Sequence, residues 1–445
     1  MLKITCTLIT CCILLTPILS YNVTGEKHIA KWTIMIYFAA DNHRDPEINS
    51  TLKMLEDVGY NSAVNFVVLS DGKTFGDTKY QYLGKEGLVS LPWKENESDM
   101  GDAQTLETFL NLTMNDFPAV HYALFILSTH GSGWQGLGGD THGTGSSKNL
   151  TLLDMMDYKT VLSHQTGDGF HKLDVIAFDI CVTGMIEVAY QISPYAKYMI
   201  GTEEHGFGGE GDEGYSIAWN YSFFLNNLKN HPDTSPEEFA ASIVNCYTPG
   251  TYTFKLFNTI EAPRWYPILK CYTTLSAVNL SKIQEVTNLI DGLSLNLSTN
   301  LQKYKKDIKF VRKEVREYGK LYRKFWFLPY LIYSLHPSPL GYNCFIDIYD
   351  FVEKLHDQID DNEIKANCEN IMSSLRSAVI ANKSLPTDAS HGLSIYFPEY
   401  RCQYDVSIWC SLRNKNFWRI PVSYNSISFS QDTHWDDFLR MYLNI

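Results

Sequence analysis

The chain has 445 residues, 44% of them hydrophobic and 13% aromatic, and carries a formal net charge of −13. Such a composition supplies apolar surface for one large core or two smaller ones and excludes an intrinsically disordered chain. An acidic chain repels phosphate backbones, which sets nucleic acid aside as a partner.

In chain order, Met1-Leu2-Lys3 forms a short basic start, Ile4 to Leu19 is a nearly uncharged apolar run, and Ser20 is a small residue at a cleavage point. This is the pattern of a signal peptide over residues 1–20, followed by a secreted mature protein. The run is short for a bilayer-spanning helix and the polar stretch Tyr21 to Lys31 ends it, so no stable membrane anchor is expected after its removal. Asn-x-Ser/Thr sequons at Asn22, Asn49, Asn96, Asn111, Asn149, Asn220, Asn279, Asn296 and Asn382 agree with export as a glycoprotein. With Cys6, Cys11 and Cys12 removed, an odd number of cysteines remains. Reserving Cys181 as a thiol leaves Cys246, Cys271, Cys344, Cys368, Cys402 and Cys410, enough for up to three bridges.

Apolar runs at Trp32 to Ala40, Asn65 to Ser70, Tyr122 to Ser128, Leu173 to Phe178 and Tyr198 to Gly201 predict buried strands. Helical spacing falls between them at 47–58, 103–115, 152–164, 184–193 and 236–246. Near-continuous apolar strands alternating with helices give the α/β class, with a mostly parallel sheet covered on both faces. Gly-rich loops lie at 136–147 and 206–214. From about 260 the character changes. Ser281 to Phe325 reads as one or two amphipathic helices, Ile346 to His356 and Ile364 to Ala381 as further helices, and His391 to Pro398 as a strand.

Two of the expected strands run into reactive side chains. One ends in Ser128-Thr129-His130-Gly131-Ser132-Gly133-Trp134, the other in Asp179-Ile180-Cys181-Val182-Thr183-Gly184. Ligands of open parallel sheets bind beyond the carboxyl ends of the strands. If the two strands are neighbours, His130 and Cys181 meet there as base and nucleophile. Gly131 permits close approach of backbone to substrate, and the N–H groups of Gly131 and Cys181 can receive an oxyanion. A helix starting beside Cys181 would favour the thiolate. A Gly-x-Ser-x-Gly elbow is absent, which disfavours a serine hydrolase.

These segments resemble the clostripain family of cysteine peptidases, relatives of caspases, legumains and gingipains. The resemblance is carried, in order, by Trp32 to Asn42, His130-Gly131-Ser132-Gly133-Trp134, Asp179 to Gly184 with Glu187-Val188-Ala189-Tyr190, Glu203-Glu204 with Trp219-Asn220-Tyr221, and Gly392 to Pro398. It implies a caspase-like three-layer sandwich, with a catalytic domain over 21–259 and a mainly helical C-terminal subdomain over 260–445 carrying a late strand near 392–398. It implies a cysteine endopeptidase acting on protein or peptide substrates, with His130 and Cys181 as dyad, cleavage after Arg or Lys through a thioester, and Asp179 as the carboxylate for the basic side chain. Asp179 has a second reading as a cap of the following helix. Glu210 and Asp212 are further candidate carboxylates. The loop 205–218 departs from the family pattern: it is longer and lacks a Gly-x-Gly-Trp run, with Trp only at 219.

Family members are often activated by a cut after a basic residue, which makes Lys148 a candidate processing site. No cofactor is required. Family analogy allows calcium as a stabiliser, with Asp41, Asp140 and Asp212 as candidate oxygens, although no calcium-loop spacing and no HExxH zinc motif occurs. Two other readings stand beside hydrolysis: an inactive secreted relative binding proteins or glycans at the same cleft, and acyl transfer through the same thioester. No pattern fixes the oligomeric state.

Overall fold

The computed structural model describes residues 28–42, 44–128, 131, 133–140, 151–204, 219–253, 270–318, 344–404 and 422–445. The expected signal peptide, His130, Lys148, Glu210 and Asp212 lie outside them.

A nine-stranded sheet forms the middle layer. Its strands are β1 (Ala30–Ala39), β2 (Val64–Asp71), β3 (Lys79–Gly84), β4 (Gly87–Ser90), β5 (Ala119–Leu127), β6 (Leu173–Asp179), β7 (Ala196–Gly201), β8 (Leu275–Asn279) and β9 (Val379–Lys383). The spatial order is β9-β8-β7-β6-β5-β1-β2-β3-β4. The five strands read from apolar runs are the parallel centre, β2-β1-β5-β6-β7. Antiparallel pairs flank it, β3-β4 on one side and β8-β9 on the other.

Alternation along β1 explains the layering. Trp32, Ile34, Ile36 and Phe38 enter one core, which is closed by helices α1 (Glu47–Val58), α5 (Tyr221–Asn230) and α6 (Pro236–Asn245). Met35, Tyr37 and Ala39 enter the other, closed by α2 (Ala103–Asp116), α3 (Met155–Thr166), α4 (Ile186–Ile192) and α7 (Ile283–Thr299). Buried on both faces, such strands carry apolar residues at nearly every position. Local signals set helix starts: Asp102 caps α2, and reciprocal capping boxes pair Asp154 with Asp157 and Ser235 with Glu238.

The described residues from 270 onward contribute to this core. Strands β8 and β9 extend the central sheet, and α7, α8 (Leu301–Glu314), α9 (Ile348–Gln358) and α10 (Asn362–Ala378) contribute to the second core. The segment expected as helix from Ile346 begins as a strand, Phe345–Asp347, which pairs with Ser394–Tyr396. The late strand is therefore present, on a small separate sheet. After α11 (Ser428–Asp432), a C-terminal helix, α12 (Trp435–Leu443), buries Trp435, whose indole N–H donates to the carbonyl of Tyr396 at 2.8 Å. Among the described residues no helix is long and apolar enough to cross a membrane.

Candidate active site

β5 and β6 are parallel neighbours, with Leu127 opposite Asp179. Ser128 and Ile180, which follow them, therefore lie at the same edge of the sheet. The Ser128 hydroxyl donates to the carbonyl of Ala39 at 2.9 Å. Gly131 then lies against the cysteine turn: a Cβ at this position would sit 2.2 Å from the carbonyl oxygen of Cys181 and 2.5 Å from Cγ2 of Ile180. Only glycine fits, so Gly131 is fixed in contact with the backbone of Cys181.

Cys181 is 7% exposed. The next residue, Val182, has φ of 50°, the left-handed region that a β-branched side chain rarely adopts. This conformation costs about 1–3 kcal/mol and persists only where the surroundings enforce it. They do so here. The Val182 N–H donates to the carbonyl of Glu204 at 3.0 Å, and the Gly184 N–H to that of Thr202 at 2.8 Å. From the opposite side, the Ser394 N–H donates to the carbonyl of Gly184 at 2.8 Å. Glu203 accepts from the Ser390 hydroxyl and the Gly392 N–H, which ties this segment to the late strand.

This turn corrects one expectation. Helix α4 begins at Ile186, and the residues between it and Cys181 form the left-handed turn and a bridge from Met185 to Ser394. Helix-end electrostatics fade within a turn, so α4 is not the source of thiolate stabilisation that the spacing suggested. Asp179 does not cap α4 either; the N-cap is Met185, with no side-chain bond.

Asp179 closes β6 and is buried. Its carboxylate accepts from Nη2 of Arg44 at 3.1 Å and from the Tyr221 hydroxyl at 2.9 Å. Arg44 Nη1 donates to the main-chain oxygens of Asp179 at 2.8 Å and Ser128 at 3.0 Å, and Nε to Glu47 at 2.9 Å. Burial opposes the charge of Arg44, but Asp179 and Glu47 outweigh it and raise its pKa further. Burial also raises the Glu47 carboxyl, with Arg44 pulling the other way. The Tyr221 phenol is held well above its ordinary range by burial and by Asp179. No sequence pattern marks Arg44 or Glu47 as partners of Asp179: the two are neighbours at the start of α1, and Tyr221 opens α5, so they reach Asp179 only in the fold.

Of the acidic residues read as candidate calcium ligands, Asp41 and Asp140 are buried, and Asp140 accepts the Met100 N–H at 2.6 Å. A different set, Asp71, Asp77 and Glu97, brings one carboxylate oxygen each to within 4.8 Å of the others. Cys246 and Cys368 are thiols, so the six cysteines do not form three bridges. Burial pushes these thiols up to about 11 and about 12, which favours the protonated form of both.

The model of the clostripain family matches residues 36–442. The chain belongs to the clostripain family of cysteine peptidases. Clostripain of Hathewaya histolytica is 22% identical over 456 aligned positions, covering 89% of this chain and 80% of that protein. Among solved structures, a secreted C11 cysteine protease from Bacteroides thetaiotaomicron in complex with an irreversible peptide inhibitor aligns with a TM-score of 0.56 at 17% identity, covering 92% of this chain and all of the other. An inactive zymogen C11 protease from Parabacteroides distasonis aligns with a TM-score of 0.59 at 16% identity, covering 92% of this chain and 99% of the other. The clostripain-family fold and a cysteine-type peptidase acting on protein or peptide substrates follow from these matches.

Proposed function

We propose that this clostripain-family chain is a secreted endopeptidase that cuts polypeptides after Arg or Lys, with Cys181 as nucleophile and His130 as its base. The observation that carries the reading is the contact of Gly131 with the Cys181 carbonyl, which holds the histidine segment to the thiol turn. The role of His130, outside the described residues, rests on the family motif.

In this reading His130 takes the proton of the Cys181 thiol, and the thiolate adds to the scissile carbonyl carbon. The carbonyl electron pair moves to oxygen, where the N–H groups of Gly131 and Cys181 receive it. The C–N bond then breaks, the imidazolium protonates the departing amine, and a Cys181 thioester remains. Water, losing a proton to His130, adds to the thioester; the C–S bond breaks and the thiol is restored. These steps need no cofactor. Interception of the thioester by an amine in place of water would give acyl transfer.

Asp179, with Glu210 and Asp212 as further candidates, would receive the basic side chain. Arg44 supports a second reading of the specificity. It already occupies an oxygen of Asp179, so an incoming guanidinium meets a resident one. An acid neutralised in this way favours an uncharged, hydrogen-bonding side chain over a basic one. Self-cleavage after Lys148 is the proposed activation step.

Export is supported by the apolar start and by sequon asparagines: Asn49, Asn96, Asn111 and Asn220 are exposed. Asn382 fits glycosylation poorly, because its amide already donates to the carbonyl of Ser390 at 2.8 Å.

The reading is tested with fluorogenic peptides ending in Arg, Lys, Asp, Asn or Gly, in reductant, beside Cys181→Ala. Turnover of the Arg and Lys peptides alone, lost in the variant, supports the first specificity. Preference for Asn supports the second, and turnover of no peptide refutes both.

A further inference from the structure

We propose that Glu203 is a neutral carboxylic acid that donates to the carboxylate of Asp347, and that this acid–carboxylate pair is a positioning element for the turn that carries Cys181. The pairing itself stands apart from the peptidase reading; its effect on turnover rests on that reading.

Both side chains are buried, Glu203 just beyond β7 and Asp347 at the start of α9. The donors around them are unequally divided. Asp347 receives the backbone N–H of Asp350 at 2.7 Å and that of His391 at 2.6 Å. It also receives Nδ1 of the His391 ring at 3.1 Å, which must donate because a carboxylate only accepts. Glu203 Oε2 receives the Ser390 hydroxyl at 2.6 Å and the Gly392 N–H at 3.0 Å. Glu203 Oε1 is buried and meets no donor. The remaining partner of this side chain is the Asp347 carboxylate, within hydrogen-bonding range. Two buried carboxyl groups in contact do not both ionise. Asp347, supplied with donors on both oxygens, is the carboxylate; Glu203, with an oxygen that has none, holds the proton. Burial and the neighbouring Asp347 hold the Glu203 carboxyl well above the usual carboxylate range, in agreement with this division.

The surrounding charges are engaged with one another. Arg316 lies 2.7 Å from Asp388 and 3.6 Å from Glu204, Lys354 pairs with Asp350, and His391 is the cation on Asp347. Burial opposes the charge of His391, but Asp347 outweighs it and raises its pKa. Tyr318 stands beside both carboxyls, and burial holds its phenol well above its ordinary range. A charged Glu203 would add an anion to a set whose cations are already engaged.

The pair joins the two elements that grip the cysteine turn. On one side, the carbonyls of Thr202 and Glu204, which flank Glu203, accept the N–H groups of Gly184 and Val182. On the other, Ser394 donates its N–H at 2.8 Å and its hydroxyl at 3.1 Å to the carbonyl of Gly184. Glu203 fastens these two elements through Ser390 and Gly392, and the Ser276 hydroxyl on β8 adds a bond to the Gly392 carbonyl at 2.7 Å. Ionisation of Glu203 would set two anions against each other at this junction and push the late strand away from residues 202–204. The left-handed conformation of Val182 depends on those bonds, so the placing of Cys181 follows the protonation of Glu203.

Glu203→Gln supplies the test, because its amide has a donor for Asp347 and an oxygen for Ser390 and Gly392 but no proton to lose. Two measurements use full-length protein carrying Cys181→Ala, which prevents self-digestion. Its infrared spectrum at neutral pH should contain a protonated-carboxyl band that adding Glu203→Gln removes; Glu187 is present in both proteins and cancels. In urea, its unfolding constant relative to that of the doubly substituted protein should rise by about tenfold per pH unit above pH 4.5, because the unfolded chain releases a proton that the folded chain keeps. Removal of no band, or a ratio independent of pH, would overturn the assignment of the acid. The positioning role is read with Cys181 intact, on fluorogenic peptides. Glu203→Ala should lower kcat by about a hundredfold with little change in KM, and Glu203→Gln should recover most of that loss. Should Glu203→Ala fail to fold, Ser390→Ala, which keeps the acid and removes one of its ties, should lower kcat rather than raise KM. An effect on KM alone, or a Gln variant as slow as the Ala variant, would overturn the positioning role. Absence of turnover by the wild type would refute the peptidase reading and leave the infrared and unfolding results in force.

Discussion

Arg44 donates one guanidinium N–H to the carboxylate of Asp179 and another to the carbonyl of the same residue, at 3.1 and 2.8 Å. The pair is buried, and Asp179, two residues before Cys181, is the carboxylate proposed above to receive the substrate side chain. Arg44→Leu should therefore act in two ways. It leaves a buried carboxylate without its cation, at a cost of about 3–5 kcal/mol. It also frees that carboxylate for a basic substrate. Kinetics on the peptide panel should show the ratio of kcat/KM for Arg over Asn peptides rising in the variant. An unchanged ratio in folded protein would separate Asp179 from substrate recognition.

Gly131→Ala tests the contact between the two reactive segments. The added methyl group would overlap the Cys181 carbonyl oxygen at 2.2 Å, so one backbone has to move. Displacement by about 1 Å near reacting groups costs about a hundredfold in rate. The expected outcome is a loss of kcat/KM of that order with the far-ultraviolet circular dichroism of the wild type. Full activity would mean that the segments are not in register for catalysis.

Glu187 gives the protein a pH-dependent element. Its carboxyl, on α4, is buried and accepts from the Tyr396 N–H at 2.9 Å and the Tyr424 hydroxyl at 3.0 Å. Burial raises its pKa from 4.5 to about 7, against the pull of these donors. A raised folded-state value means that its stabilising contribution is full below pH 4.5, falls as pH rises through about 7, and then levels off. Relative to Glu187→Gln, the wild type should lose on the order of 3 kcal/mol between pH 4.5 and 8. Urea unfolding of both proteins across this range measures it; parallel curves would contradict it.

Trp435→Ala tests whether the C-terminal region is part of the catalytic core. Trp435 packs on Phe397 at 5.4 Å between ring centroids and on Phe438 at 5.2 Å, within the cluster that contains the Cys181 turn. Its removal should cost about 3–5 kcal/mol and lower a single unfolding transition. Two transitions, only one of them shifted, would show an independent C-terminal unit.

Central strands such as β1, with its sequence AKWTIMIYFA, are legible because burial on both faces makes every position apolar. The flanking strands are not. KYQYLG and GLVS are partly exposed, and VIANK at the other edge is half-buried, so none has a continuous run. The same logic divides the site. His130 and Cys181 stand in local motifs at strand ends, whereas Arg44 and Tyr221 join Asp179 from different elements. The cysteine turn shows the limit from the other side: helical spacing from 184 suggests a helix start beside Cys181, yet hydrogen bonds with Thr202 and Glu204, just beyond β7, and with the late strand hold the segment as a turn. The Asp71, Asp77 and Glu97 cluster follows no ligand spacing, because Glu97 lies beyond β4 and joins the β2–β3 turn only in the fold.

The most direct measurement of the central claim is mass spectrometry of the covalent intermediate. Wild-type, Cys181→Ala and His130→Ala proteins are mixed with a peptide ester ending in Lys, quenched in acid and digested. One acyl adduct is expected, on Cys181, absent from Cys181→Ala and formed far more slowly in His130→Ala. An adduct on another residue, or ester turnover that persists in Cys181→Ala, would contradict it.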